Sequence, residues 1–540
     1  MTAPVTLCTA LADSARRHAE RPAMTFLDAA LEPTSYTYQR LFARAEELAD
    51  RLRAHQLAPQ APLGILTCRQ ETQTLVYLAA LAAGLVPAIL TPPNRKLDRR
   101  QYLDTLRAVA GRGRFSALVT DLDDVDADVT LLDAGRLQIR RRGPSPKITA
   151  DLDDAALVQF SSGTTGIKRG VVVSHRAVLA QLRAYGVAIG LEARDVIASW
   201  LPLYHDMGFI ACLNLPLAAG SHVVMIEPMD WVGNTALYLR AVSDYRATLG
   251  WHPNFAFAFM AQRVRPGDVA GLDLSSLRGL VNCAEPVTEQ SQRQFAERLA
   301  AASLRPDVFW GCYAMAETTF ALTHGTAAED RYLDEAGPVE ACDAAAPLPV
   351  VSVGRPIAGV TLRVVDERGD PLPDRHIGEL HARSPFTMQG YYHNAAATAE
   401  AIEGGWYKTG DLGYRIGEQF FVRGRRKELL ITGGVNVHPQ DIEQIASAVA
   451  GVLAGRVCAC SQFDERTQTE RIVVLAETDR PELEHGPLAV QIRRRILAAL
   501  QIANFEVQLL PPRWLLKSSS GKMARDANRR KWSLCPLHLP

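Results

Sequence analysis

The stretch that decides the fold is Ser161–Gly170, which reads SSGTTGIKRG and contains four hydroxyl side chains, three glycines and two adjacent basic residues. Glycines let a backbone approach an anion closely, and hydroxyl and exposed N–H groups can donate hydrogen bonds to it. Two apolar runs, Ala155–Phe160 and Val171–Val173, flank the stretch, so we expect a hairpin whose tip holds a polyphosphate. A polar surface turn is the alternative. The glycine spacing does not match the P-loop.

The overall composition is that of a globular protein without a dominant charge. The chain has 540 residues, with 59 basic and 59 acidic side chains. Because no net positive field exists, a nucleic-acid partner is not expected. The amino terminus lacks the apolar core of a signal peptide, and the apolar segment Val76–Leu90 contains Gly84 and Pro87 and is shorter than a membrane span. We therefore expect a cytoplasmic protein without stable membrane insertion, with nine cysteines as reduced thiols.

The distribution of apolar residues predicts an α/β protein. Helical segments alternate with short β-branched runs over roughly the first 350 residues, a pattern typical of parallel sheets. From Thr361 the pattern changes to that of a β meander with a barrel-like sheet. After Arg425 the chain has its own strands and helices. We expect a large N-terminal domain of several subdomains, residues 1–424, and a small α+β domain, residues 425–540, joined near Gly424–Glu428.

Two clusters carry aromatic and histidine side chains that suit a small-molecule pocket. The first is Ser199–Phe209, SWLPLYHDMGF, in which apolar residues surround Tyr204 and His205. The second is the aromatic run Trp251–Phe259. A lone histidine is as often structural as functional, and the aromatic run alone is more typical of ordinary helical core. Both clusters remain candidates for an apolar acid pocket.

Three further clusters carry charges suited to nucleotide chemistry. Glu317, in GCYAMAETTF, is a candidate ligand for a divalent cation that bridges phosphate oxygens. Asp411, in WYKTGDLGY, could accept hydrogen bonds from both ribose hydroxyls, although TGD alone is a turn signal. Lys522, in the Ser/Gly-rich KSSSGKMAR, could be brought to a reacting phosphate on a moving loop.

Together, in this order, these motifs with NCAEPV and FVRGRRKELL resemble the AMP-forming adenylating enzymes, which include acyl-CoA synthetases and fatty acyl-AMP ligases. The resemblance implies that a carboxylic acid attacks the α-phosphorus of ATP to give an acyl adenylate, after which a thiol displaces AMP. It also implies Mg²⁺ and either coenzyme A or a carrier-protein phosphopantetheine. The small domain would rotate about Lys427 between the two reactions, so that Lys522 serves the first of them.

The resemblance also implies roles for individual residues. Catalysis is assigned to Lys522, His205 and Glu317, and Mg²⁺ to Glu317 and Thr165. The acyl pocket would include Tyr204, His205, Trp251, Asn254 and Phe255, and the thiol tunnel Gly433 and Gly434. The ATP site would comprise Ser161, Ser162, Gly163, Thr164, Thr165, Gly166, Lys168, Arg169, Ala284, Glu285, Pro286, Gly311, Cys312, Tyr313, Ala314, Met315, Ala316, Asp411 and Arg425.

The sequence departs from the family pattern at two points and leaves the branch open. Lys168 and Arg169 stand where relatives have proline and lysine, and Ala316 replaces a common threonine. YHDMG, NCAEPV and HPQDIE resemble the fatty acyl-AMP ligases, which deliver to an acyl carrier protein. The short segment Gln389–Asp411 lacks the insertion usual in that branch, which favours transfer to coenzyme A. A non-catalytic nucleotide-binding relative is a third reading, and a monomer and a homodimer both fit.

Overall fold

A computed structural model describes residues 6–93, 102–103, 106–107, 109, 115–123, 125, 129–134, 150–160, 169–329, 332–338, 349–432, 435–464, 469–502, 504–518 and 521–534. The architecture is α/β, as predicted. Most of these residues share one large apolar core, whereas the residues from Leu430 onward pack around separate cores of their own. We call residues 430–534 the C-terminal unit.

A nine-stranded sheet forms the centre of the large part. Its six middle strands are parallel, and an antiparallel strand or pair closes each edge. In spatial order the strands are Arg355–Pro356, Thr323–Thr326, Phe309–Gly311, Gly279–Cys283, Leu249–Pro253, Val196–Ser199, His222–Ile226, Pro22–Leu27 and Pro33–Thr37. Parallel strands need crossover connections, which are mostly helical here, so both faces of the sheet are covered.

Two smaller sheets support the predicted phosphate hairpin. Ala155–Phe160 and Gly170–Ser174 pair antiparallel, with Phe160 opposite Gly170, so the two predicted strands and their hairpin pairing are confirmed. Gly390–Tyr391 adds a third strand. The other sheet is parallel, in the order Val86–Ile89, Pro62–Leu66, Ala117–Thr120 and Thr130–Asp133. Apolar side chains of both sheets, Leu118 and Phe160 among them, share one cluster.

The predicted β meander is an antiparallel sheet of five strands. They are Thr361–Val365, Gly378–Arg383, Trp406–Ile416, Ile402–Glu403 and Gln419–Arg425. A two-stranded ribbon, Leu333–Asp334 with Val350–Val351, lies nearby in sequence. In this sheet Asp411 stands directly opposite Arg425 on the neighbouring strand.

The C-terminal unit contains the hairpin Leu430–Thr432 and Val435–Val437 and a sheet of Val457–Asp464, Thr469–Glu477 and Phe505–Leu510. Its helices are Pro439–Ser447, His485–Leu500 and Arg525–Ser533, with a 3₁₀ turn at Glu482–Glu484. A further 3₁₀ turn, Arg426–Glu428, connects it to the antiparallel sheet.

The helices of the large part cover its sheets. They are Leu7–Arg17, Tyr38–Ala54, Gln70–Ala82, His175–Ala188, Leu215–Ala219, Pro228–Gly233, Ala236–Tyr245, Asn254–Arg263, Pro266–Val269, Glu289–Leu299 and Ala395–Ala401. A π-helix spans Met207–Asn214, and 3₁₀ turns span Ala300–Ala302 and Ala316–Thr318. Among the described residues, none of the helices is both long and apolar enough to cross a bilayer.

Candidate active site

A cavity of about 420 Å³ lies where the central sheet, the antiparallel sheet and the C-terminal unit meet. The carboxyl ends of the parallel strands Gly279–Cys283 and Phe309–Gly311 open into it, which is the usual position of ligand sites in parallel sheets. Most predicted site residues line it. They are His205, Asn254, Phe255, Ala284, Glu285, Pro286, Cys312, Tyr313, Ala314, Met315, Ala316, Glu317, Asp411, Arg425 and Lys522.

Other predicted residues lie elsewhere or outside the described part of the chain. Ser161, Ser162, Gly163, Thr164, Thr165, Gly166 and Lys168, and also Gly433 and Gly434, are not among the described residues. Tyr204, Gly311 and Lys427 do not line this cavity. Gly311 nevertheless matters locally, because a β-carbon there would lie 2.3 Å from the carbonyl oxygen of Ser352.

Asp411, Tyr313 and Arg425 form a polar group at one end of the cavity. Nε of Arg425 makes an ion pair with Oδ1 of Asp411 at 3.0 Å, and Oδ2 accepts a hydrogen bond from the Tyr313 hydroxyl at 2.6 Å. The charge of Asp411 raises the pKa of Arg425, and burial together with Asp411 raises that of Tyr313. Both oxygens of Asp411 are therefore oriented, as an acceptor of ribose hydroxyls requires.

Glu317 offers a single carboxylate to the cavity from the 3₁₀ turn Ala316–Thr318. The hydroxyl of Tyr391 donates to Oε1 at 3.0 Å, and the guanidinium of Arg169 lies 5.1 Å from the centre of the Tyr391 ring. Burial raises the pKa of Glu317. In the described part of the chain no three His, Cys, Asp or Glu side chains cluster as a metal site. One carboxylate suits Mg²⁺ that is held mainly by phosphate oxygens and water.

His205, Asp206 and Lys522 also line the cavity. Nδ1 of His205 lies 2.6 Å from Oδ1 of Asp206, which also accepts from the backbone N–H of Met207 at 2.8 Å. Burial alone would raise the pKa of Asp206, but the charges of His205 and Lys522 lower it below its ordinary value. Nδ1 of His205 also accepts from the backbone N–H of Met207 at 3.3 Å, so Asp206 and this N–H together orient the His205 ring.

A family model for AMP-binding enzymes matches residues 11–392, which is most of the chain. The chain belongs to the family of AMP-binding enzymes. A Mycobacterium leprae protein with the provisional name fatty-acid–CoA ligase fadD21 is 28% identical over 535 residues, covering 91% of this chain and 91% of that protein. The long-chain-fatty-acid–AMP ligase FadD26 of Mycobacterium marinum is 28% identical over 562 residues, covering 96% and 95%.

Solved structures support the same relationship. A structure from studies of the fatty acyl-adenylate ligases of E. coli and L. pneumophila superposes on this AMP-binding enzyme with a TM-score of 0.85. The two are 27% identical, and the match covers 99% of this chain and 98% of that one. The resemblance inferred from the motifs is therefore confirmed, as is the fold class.

The predicted acid pocket of this AMP-binding enzyme is only partly formed by the predicted residues. Trp251 is fully buried on the other face of its strand, where its Nε1 donates to the Tyr185 hydroxyl at 3.0 Å. Asn254 lines the cavity, but its side-chain oxygen accepts from Asn282, Thr288 and Ser291. Asn254 thereby joins the end of the Gly279–Cys283 strand to helix Glu289–Leu299, and its oxygen is already engaged.

Two tryptophans that were not among the assigned pocket residues stand behind Phe255. The rings of Trp200 and Trp231 stack with centroids 3.5 Å apart, and the Phe255 ring meets both edge-on. Nε1 of Trp200 donates to Nδ1 of the buried His252 at 3.0 Å. Burial lowers the pKa of His252 to about 3, so this histidine is neutral and structural. Phe255 and the two tryptophans behind it form an apolar wall of which Phe255 alone lines the cavity, whereas His252 and Phe257 of the aromatic run are ordinary buried core.

Partly buried ion pairs lie at the junction between the antiparallel sheet and the C-terminal unit and beside it. Arg423 contacts Asp441 of helix Pro439–Ser447 at 2.5 Å. Arg525 contacts Glu428 at 2.5 Å and Glu443 at 2.7 Å, a group that we call the Arg525 cluster. These pairs join residues far apart in sequence, and the charged string RGRRKE was their only sequence signal.

Proposed function

We propose that this AMP-binding enzyme activates a hydrophobic carboxylic acid with ATP and transfers the acyl group to the thiol of coenzyme A. In the first reaction a carboxylate oxygen of the acid bonds to the α-phosphorus of ATP and the bond to the β-phosphate oxygen breaks. The products are an acyl adenylate and pyrophosphate. In the second reaction a thiol, after losing its proton, attacks the acyl carbon and AMP leaves. The general reaction class, acyl-adenylate formation, agrees with the family.

One observation carries the proposal: Asp411, Glu317 and Lys522 face a single cavity although they come from three distant parts of the chain. Asp411, oriented by Tyr313 and Arg425, would accept the ribose hydroxyls and fix the nucleotide. Lys522 would offset the repulsion between the anionic acid and the α-phosphate, where negative charge concentrates during in-line displacement. Mg²⁺ on Glu317 would neutralise charge on the phosphate oxygens.

The apolar part of the cavity lining, which includes Phe255, Ala258 and Val287, favours a hydrophobic acid. Burial of an apolar tail against these side chains would contribute about 25 cal/mol per Å² of apolar surface removed from water. His205, oriented by Asp206, would lie beside the acid carboxylate. Its ring lines the cavity together with the apolar side chain of Phe255 and the charged side chain of Lys522.

Coenzyme A is favoured over a carrier protein by the short connection after Gly390–Tyr391. Between it and the strand Trp406–Ile416 lie a helix of seven residues, Ala395–Ala401, and the two-residue strand Ile402–Glu403. This connection is too short to contain an insertion that would restrain the C-terminal unit. The names of the relatives differ on this point, since one is called a CoA ligase and another an AMP ligase.

Acid-dependent exchange of labelled pyrophosphate into ATP tests the first reaction over a panel of fatty and aryl acids. Exchange should require the acid and fall at least about a hundredfold in Lys522→Met, the range seen for loss of a transition-state charge contact. Lys531→Met is the matched control, because Lys531 lies over the Trp514 ring and outside the cavity. Absence of exchange with every acid, in a folded enzyme, would instead favour a non-catalytic nucleotide-binding protein.

The acceptor is tested by adding either coenzyme A or a phosphopantetheinylated acyl carrier protein to the best acid and ATP. We expect an acyl-CoA thioester, identified by mass spectrometry. A thioester on the carrier protein with none on coenzyme A would overturn the assignment of the acceptor and leave the first reaction intact.

A further inference from the structure

The ring of Phe255 is seated in the C-terminal unit as well as against the apolar wall. A β-carbon placed on Gly521 would lie 2.5 Å from Cε1 and 2.6 Å from Cζ of Phe255, distances that real β-carbons do not show. Nζ of Lys517 lies 4.7 Å from the centre of the same ring. At Gly455 a β-carbon would come within 3.9 Å of Cβ of Phe255. We call Gly455, Lys517 and Gly521 the Phe255 socket.

The Phe255 socket requires glycine at two of its positions. Gly521 has φ of +86° and Gly455 has φ of +62°, conformations that residues with a β-carbon rarely adopt. Only the glycine at 521 leaves space for the ring edge, while the Lys517 ammonium can interact with the ring face. Steric fit and a cation contact thus select an aromatic side chain at position 255, whereas a pocket wall alone would need only an apolar one.

The socket is rigidly connected to Lys522. The backbones of Lys517 and Met523 form an antiparallel β-bridge at the base of the loop, and the backbone N–H of Ser518 donates to the carbonyl of Lys522 at 2.8 Å. The N–H of Gly521 donates to the carbonyl of Ser518 at 3.0 Å. Because these bonds close the loop, a displacement of Gly521 from Phe255 also displaces Lys522.

We infer that Phe255 is a positioning residue for adenylate formation, because its ring docks the Phe255 socket and so places Lys522 over the site. The inference rests on the proposed function. Phe255 sits on helix Asn254–Arg263, which begins at the cavity, so the acid wall and the lysine loop share one side chain. When the C-terminal unit rotates for thioester formation, the contact is broken, and the second reaction does not depend on it.

A double-mutant cycle between Phe255→Leu and Gly521→Ala tests the contact. Gly521→Ala should lower kcat for acid-dependent pyrophosphate exchange about tenfold or more, because the new β-carbon meets the ring. Phe255→Leu removes the atoms that the β-carbon meets. The double variant should therefore exceed Gly521→Ala by about threefold or more, a coupling typical of residues in contact. Purely additive losses would overturn the inference.

Phe259→Leu is the matched control on the same helix. Phe259 packs against Trp231 with ring centroids 5.5 Å apart and meets Phe255 edge-on at 6.4 Å, but it lies outside the cavity under the guanidinium of Arg263. Combined with Gly521→Ala it should give no recovery. Equal recovery by both leucine variants would show a general loosening of the aromatic wall and contradict a specific socket.

Two further measurements separate positioning from other effects. Gly521→Ala should leave thioester formation from supplied acyl adenylate unchanged within about twofold, because the contact serves adenylate formation alone. A general structural defect would instead slow both reactions. If Gly521→Ala does not fold, Lys517→Met takes its place. Its loss of exchange should disappear in a Phe255→Leu background, where no ring face remains, and a loss of equal size in both backgrounds would refute the contact. Wild-type enzyme without any exchange would instead refute the proposed function.

Discussion

Tyr313→Phe tests the hydrogen bond between the Tyr313 hydroxyl and Asp411 without removing the aromatic ring of residue 313. The substitution keeps the aromatic ring in the cavity wall and removes the hydroxyl that donates to Oδ2 of Asp411 at 2.6 Å. A hydrogen bond to a charged group contributes about 1.5 to 3 kcal/mol. Since the cavity admits water that can replace the lost donor, we expect the lower end, about 1.5 kcal/mol, which is roughly tenfold in binding.

The assay is pyrophosphate exchange at saturating acid with ATP varied. Tyr313→Phe should raise KM for ATP about tenfold and leave KM for the acid unchanged. Asp411→Asn should cost more, about a hundredfold, because the charge that holds Arg425 at 3.0 Å is lost as well.

The control is Tyr414→Phe, on the strand that carries Asp411. Its hydroxyl donates to Asp334 at 2.8 Å, a comparable tyrosine–carboxylate bond outside the cavity. This variant should unfold at lower denaturant concentration with unchanged KM for ATP. An unchanged KM for ATP in Tyr313→Phe, or a rise confined to KM for the acid, would refute the orientation of Asp411 for the ribose.

Three other predictions concern charge. Because burial raises the pKa of Glu317, protons should compete with Mg²⁺ at a higher pH than at an ordinary glutamate. As pH is lowered, exchange at limiting Mg²⁺ should therefore fall before exchange at excess Mg²⁺, and added Mg²⁺ should restore it. Glu317→Gln should abolish this dependence of the Mg²⁺ requirement on pH. Arg423→Ala, which removes the 2.5 Å contact with Asp441, should lower exchange about tenfold, with partial recovery in Arg423→Lys and unchanged thioester formation from supplied acyl adenylate. Arg525→Met should destabilise the C-terminal unit by about 3 kcal/mol in denaturant unfolding, because two mostly buried carboxylates lose their counter-charge; an effect below about 1 kcal/mol, typical of exposed pairs, would contradict the cluster's role.

The local elements were largely predictable because short-range patterns determine them. The hairpin strands at Ala155–Phe160 and Gly170–Ser174 follow from apolar runs on either side of a glycine-rich tip. The turn signal TGD was misleading by itself, since Asp411 lies inside the strand Trp406–Ile416, with Gly410 at φ of +69°. In that strand the glycine allows an irregular backbone without ending the pairing.

The faces of the strands and the long-range pairs were less predictable. Side chains alternate along Leu249–Pro253, so the aromatic run could not reveal that Trp251 faces Tyr185 and that Trp200 belongs to the wall. Arg525 and Glu443 are 82 residues apart and meet only after the C-terminal unit has folded. No spacing rule on one sequence relates such residues, because the contact depends on tertiary packing.

The contacts that hold the C-terminal unit against the cavity are of a kind that a rotation can break at modest cost. Arg423 and Asp441 would both return to water when the unit turns, so neither is left as an isolated buried charge, and the large penalty of a severed internal pair does not arise. The Phe255 socket adds one ring edge and one cation contact rather than an extensive apolar interface. The Arg525 cluster differs, since Glu428 ends the connecting turn and Glu443 and Arg525 belong to the C-terminal unit, so it should move with that unit and survive the rotation. Arg423→Ala and Arg525→Met should therefore have different effects. The first should change the ratio of the rates of the two reactions, and the second should lower the stability of the C-terminal unit.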